Sequence, residues 1–172
     1  AKWIDYNGTP LTITATGFSF TFPNAAPGPN YEMAPRSAPL AGMLSGTWTV
    51  AAPDNAVFRS NDQCSAQGRG AVRLYFQRAG DNWQTQGYRY FSIAYTLLAP
   101  GAGTLAVSLD DPAAWANVLD GSQASTTLDL FAAAKAQPQT YGLTFGLCAA
   151  GHGVYVDPPT TATFTLTSFG AT

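Results

Sequence analysis

The sequence predicts an all-β domain: a two-sheet antiparallel β-sandwich of jelly-roll type, carrying one or two short inserted helices. Three observations predict it. Apolar residues recur at every second position through most of the chain, as in strands with one buried face. No βαβ rhythm and no repeat of fixed period interrupts them. Charged residues make up only 10% of the 172, whereas hydrophobic residues make up 46%. Core material is therefore plentiful, and Thr, Ser, Asn and Gln must supply the polar surface. A sheet with an apolar face buries it against a second sheet or closes on itself. Residues 1–172 suit a single such domain.

The elements follow in order. Leu11-Thr-Ile13 alternates, and Phe18, Phe20 and Phe22 alternate with the opposite parity, so a turn or bulge is expected at Thr16-Gly17. Pro23 to Pro39 reads as a long irregular loop packed by Tyr31 and Met33. Gly46 to Val50 is a short strand, and Pro53 to Gly70 a second long loop. Ala71 to Arg78 carries the cleanest alternation: Val72, Leu74 and Phe76 on one face, Arg73, Tyr75 and Gln77 on the other. Tyr88 to Leu98 reads as its hairpin partner. Leu105, Val107 and Leu109 alternate next. Asp111 as N-cap and Pro112 at the first helical position predict a short helix over Ala113 to Leu119. Leu128 to Ala136 predicts a second helix. Tyr141 to Leu147, Val154 to Val156 and Ala162 to Ser168 close the chain as strands. The threonines of the last run (Thr161, Thr163, Thr165, Thr167) read as outward-facing β residues, since one strand makes no ice-binding ladder.

Composition narrows the partners. The net charge is −2 and the basic residues are dispersed, whereas nucleic-acid binding normally needs a basic stripe. No apolar run reaches the roughly 18 residues that cross a bilayer, so no membrane insertion is expected. The sequence opens at Ala1 without Met and shows no secretory leader, as expected of a mature or a trimmed chain. The two cysteines, Cys64 and Cys148, match no metal spacing. In a chain with only two lysines they suggest one disulfide and a secreted or cell-surface location; two buried free thiols are the other reading.

Catalytic chemistry has few carriers. His152 is the single histidine and Glu32 the single glutamate. Glycoside hydrolysis needs two carboxylates flanking the bond, and most aspartates sit at turn or cap positions. No phosphate loop, dinucleotide fingerprint or nucleophile elbow occurs. A polysaccharide lyase could use Tyr and Arg chemistry, with Arg73, Tyr75, Gln77, His152 and Tyr155 as the right residue types. His152 and Tyr155, however, have opposite strand parity.

Binding chemistry is better supplied. Arg73, Tyr75 and Gln77 project from one strand face. The next loop holds Asp81, Asn82 and Trp83 among Gln84 and Gln86, and Tyr88 and Tyr90 follow. Sugars offer apolar C–H faces to flat rings and hydroxyls to Asn, Asp, Gln and Arg. These residues are therefore the expected ligand contacts. The competing reading packs Trp83 down as a lid and pairs Arg73 with Asp81.

Three segments carry a resemblance: Trp115-Ala-Asn-Val118, Tyr141-Gly-Leu-Thr-Phe-Gly146 and Ala162-Thr-Phe-Thr-Leu-Thr-Ser-Phe169. Over roughly the C-terminal third, the layout resembles the galactose-binding-like jelly-roll carbohydrate-binding modules. The resemblance implies a non-catalytic domain that holds a poly- or oligosaccharide, attached to a larger enzyme or surface protein, with a possible structural calcium and no other cofactor. No calcium ligands carry over residue by residue. A structural or adhesion domain of a surface or phage-tail assembly is the remaining alternative.

Overall fold

The computed structural model describes residues 2–62, 68–83, 87–148 and 150–172. Its strands, in chain order, are β1 (Ile4–Asp5), β2 (Thr12–Ile13), β3 (Phe18–Thr21), β4 (Tyr31–Pro35), β5 (Met43–Ala51), β6 (Phe58–Ser60) and β7 (Ala71–Arg78). They continue as β8 (Arg89–Ser92), β9 (Thr96–Leu97), β10 (Gly101–Ser108), β11 (Trp115–Asn117), β12 (Pro138–Gly146), β13 (Val154–Val156) and β14 (Thr163–Ala171), with the helix α1 (Leu128–Ala136) before β12.

Two antiparallel sheets stack face to face. One runs β1-β4-β12-β7-β8-β11, with β9 also paired to β7; the other runs β10-β5-β14-β3-β2. The long strands β3, β4, β5, β7, β8, β10, β12 and β14 distribute as β4-β12-β7-β8 in one sheet and β10-β5-β14-β3 in the other. Counted along the chain, that is the two-Greek-key order of a jelly roll, as the sequence predicts. No helix among the described residues is long and apolar enough to cross a membrane.

The core forms where the alternating faces meet. Phe18, Phe20, Trp48, Val50, Phe164 and Leu166 come from one sheet; Val72, Leu74, Phe76, Leu143 and Phe145 come from the other. The Phe145 and Phe164 rings, from opposite sheets, meet edge-on at 5.4 Å, a favoured aromatic geometry. α1 closes one end by laying Phe131 against Phe76 and Tyr90.

Several local expectations are corrected. The segment Pro23 to Pro39 is not all loop, because it carries β4, hydrogen-bonded between β1 and β12. Tyr31, Glu32, Met33 and Ala34 are buried on both faces, so the segment shows no alternation. Pro53 to Gly70 likewise contains β6, paired with β13. The run from Tyr88 to Leu98 breaks into β8 and β9. Between them the Ser92 hydroxyl donates to the Ala94 carbonyl and accepts the Leu74 N–H, which replaces ladder bonds. The helix expected over Ala113 to Leu119 is a single 3₁₀ turn, Pro112–Ala114. Asp111 does cap it, accepting the Ala113 N–H at 3.0 Å. Trp115 is fully buried, with its indole N–H on the Ser108 carbonyl at 2.8 Å. It is held extended, so Trp115–Asn117 pairs with β8 instead of continuing a helix.

Candidate functional site

The outer face of the β7-containing sheet gathers the polar and aromatic residues singled out above. Cross-strand register decides which ones. Tyr75 lies opposite Gly142 and Phe91, Arg73 opposite Thr144, and Gln77 opposite Thr140 and Arg89. Tyr31 and Met33 of β4 extend the same face beyond β12. Tyr31, Met33, Tyr75, Phe91 and Ala116 form an apolar cluster separate from the core, with Trp83 and Val118 packed on it.

The strand face is closed. Arg73, Tyr75 and Gln77 are all buried, Arg73 only 6% exposed. They are not the open platform that period-2 alternation suggests, because loops and neighbouring strands cover the second face as well. Most of their polar atoms are engaged internally. Gln77 Nε2 donates to Asp81 Oδ2 (2.9 Å), the Thr140 hydroxyl donates to Gln77 Oε1 (2.6 Å), and the Tyr75 hydroxyl lies 3.2 Å from the same Thr140 oxygen. Burial pushes the Tyr75 phenol well above its usual range, and raises Tyr31 to about 12. Neither tyrosine is poised as a base near neutral pH.

Asp81 is the pivot. Its carboxylate meets Arg89 Nε at 2.7 Å and accepts the Trp83 N–H at 2.8 Å. The pairing of Arg73 with Asp81 is not formed; Arg89 takes that place. Arg89 also donates through Nη2 to the Trp83 carbonyl (3.2 Å), and its guanidinium lies 4.6 Å from the Trp83 ring centre. Trp83 is thereby fixed at φ 67, a left-handed conformation costing a bulky residue ~1–3 kcal/mol. Its ring packs at 4.4 Å on Tyr6 and 5.1 Å on Tyr31. Tyr6 is 48% exposed and Trp83 half-buried. Together they make an aromatic rim on an otherwise closed face.

Tyr88 and Tyr90 are not brought to this rim. Tyr90 lies opposite Phe76 and so points into the core, its hydroxyl 2.9 Å from Thr127 Oγ1. Tyr88 stacks under the Arg78 guanidinium at 4.7 Å. Asn82 is exposed beside Trp83, while Gln84 and Gln86 lie outside the described residues. Sequence reading missed Tyr6, Tyr31 and Arg89. The signal for Arg89 was available, since it alternates with Phe91 on the face opposite Tyr90. Nothing local pointed to Tyr6 or Tyr31, which arrive from the distant β1–β4 edge. His152 is exposed on the turn before β13 and, like Tyr155, does not line the cavity at Arg73. Cys64 lies outside the described residues, and no cysteine among the described residues is free.

Among the described residues the buried carboxyls Asp5 and Glu32 are neighbours, the kind of pair a structural calcium would require. Asp5 uses its two oxygens to accept the N–H groups of Thr9 (2.8 Å) and Asn30 (3.0 Å), and Asn30 turns its own oxygen to the Tyr31 N–H. Of this pair only Glu32 keeps its oxygens from backbone N–H groups, against about six to eight oxygens around calcium. This pair does not fit the ion. No cluster of three or more His, Cys, Asp or Glu occurs among the described residues.

Comparison of the chain with protein-family models, with curated proteins and with solved structures returns no significant match.

Proposed function

We propose that this domain is a non-catalytic carbohydrate-binding module of an extracytoplasmic protein, with the Trp83–Tyr6 rim as its sugar platform. One observation carries the reading. Trp83 is held in a strained backbone conformation by Asp81, with Arg89 beneath its ring and half-exposed Tyr6 beside it. Strain maintained by a buried ion pair at a surface aromatic suits a binding role, since it pre-orders the ring before a ligand arrives. Asn82 and the hydroxyl of Tyr6 are the polar groups within the rim. Tyr75 and Gln77 support it from below rather than touch the ligand. A jelly-roll fold and a resemblance to galactose-binding-like modules agree with the assignment.

The test is a glycan array with wild-type protein beside Trp83→Ala. Binding in the wild type and a loss of more than about tenfold in the variant is the expected result, the scale of an aromatic hot spot. An unchanged melting profile separates lost contact from lost fold. No binding across neutral and acidic glycans would move the domain to a structural or adhesion role, a reading favoured by the closure of the Arg73/Tyr75/Gln77 face.

The extracytoplasmic assignment carries a chemical prediction. Cys64 and Cys148 are proposed to be joined as a disulfide. Protein denatured without reductant should then show no thiol toward a chromogenic disulfide reagent, and both thiols after reduction. Two thiols before reduction would remove the pairing and the strongest argument for an oxidising compartment.

A further inference from the structure

Arg73 is the second guanidinium on the closed face, and it differs from Arg89 in one respect. Arg89 has a buried carboxylate, Asp81. Among the described residues Arg73 has only neutral carbonyls: Nη1 donates to Ser92 (2.9 Å) and Ile93, and Nη2 donates to Leu147 (2.5 Å). Its Nε is buried without a partner among the described residues. The Phe91 and Tyr95 rings lie 5.6 and 4.7 Å from the guanidinium carbon. Asp62, whose field reaches Arg73, is committed elsewhere: it accepts the Ser60 hydroxyl and the N–H groups of Leu147 and Cys148. A buried charge without a counter-charge is costly, and proteins normally pair it.

The Arg73 side chain borders open space, although its Nε is itself covered. Arg73 lines a cavity of about 290 Å³ with Phe91, Ile93, Ala116 and Val118. Phe91, Ala116 and Val118 belong to the same apolar cluster on which Trp83 packs. The aromatic rim and the unpaired guanidinium therefore sit on one face, joined by an apolar floor. Nε and one N–H of Nη2 remain unspent, and that edge can hold a carboxylate through two parallel bonds. Tyr95, exposed over the guanidinium, is the ring that must swing aside.

We infer that the glycan held at this site is acidic, with a uronate or sialate carboxylate on Arg73 while a neighbouring ring rests on Trp83. The inference rests on the carbohydrate reading above and deepens it.

The test uses uronate oligosaccharides and sialosides, each paired with its carboxyl methyl ester, titrated against wild type, Arg73→Gln and Arg73→Lys. The ester keeps the ring and removes the charge. At least one acid is expected to bind about tenfold or more tighter than its ester, as for a charge-assisted bidentate contact. Arg73→Gln should erase that preference without weakening ester binding, and Arg73→Lys should restore part of it. Whether uronates or sialosides respond tells the carboxylate's source. Equal binding of every acid and its ester overturns the inference while the sugar reading stands. A preference that survives in Arg73→Gln also overturns it, because the acid then lies elsewhere. No binding of any acid or ester by the wild type overturns the inference, and the sugar reading falls with it only if the array shows no neutral glycan bound either. If neither variant folds, the acid–ester comparison on wild type decides alone.

Discussion

Replacing Asp81 with Ala is expected to cost about 3–5 kcal/mol of stability, the scale on which breaking a buried ion pair leaves one charge stranded. Arg89 would remain buried, Gln77 would lose its acceptor and the Trp83 N–H would lose its anchor. Trp83 should then leave the left-handed region. The checks are a denaturant titration and tryptophan fluorescence, the latter reporting exposure of the ring. Adding Arg89→Met to Asp81→Ala should recover a substantial part of the loss, because the stranded charge goes with it. A loss below about 1 kcal/mol in the single variant would mean that Asp81 is solvated and the rim is not pre-ordered.

The second large effect concerns pH. Glu32 is fully buried on β4 beside the Asp5 carboxyl, with no cation against it among the described residues. Burial raises its pKa well above the usual range, and the neighbouring Asp5 raises it further. In the unfolded chain the same group ionises near about pH 4.3. Between these two values the native state holds one proton more than the unfolded state. The stabilisation is complete below the lower value and is lost as pH rises, by about 1.4 kcal/mol per pH unit, until the folded pKa is passed. Glu32→Gln cannot ionise, so its stability should lack this slope. Urea titrations of both proteins from roughly pH 5 to 8 compare the slopes directly. Parallel slopes would show that Glu32 ionises normally in the folded protein.

The inner layer of the sandwich was legible because one-sided burial writes itself into the sequence. Val72, Leu74 and Phe76 alternate, as do Phe18 and Phe20, and all five point into the core. α1 was legible to the residue from its Ala-rich run between turn signals. The outer face was not. Arg73 and Gln77 look like surface residues, yet their acceptors come from Ser92, Leu147 and Asp81 and close around them only in the fold. Tyr31 to Ala34 failed to read as a strand for the same reason, since burial on both faces erases alternation. Asp81 and Trp83 were found because a turn places both at one spot. Tyr6 needed the pairing of β1 with β4, which no local pattern announces.

The order of strands has a consequence for how the chain reaches this state. β12 sits between β4 and β7, and β14 sits between β5 and β3. The middle of each sheet is thus supplied by residues 138–171, the last fifth of the chain. During synthesis, at about 5–20 residues per second, β4 and β7 emerge long before the strand that joins them. Hairpins such as β7–β8 can form early, but neither sheet can zip together until its central strand arrives. Folding is therefore governed by late, long-range closure and belongs among the slow topologies, on the order of milliseconds to seconds. Until then, the inner edges of β4, β5, β7 and β3 stay open to any strand that offers itself.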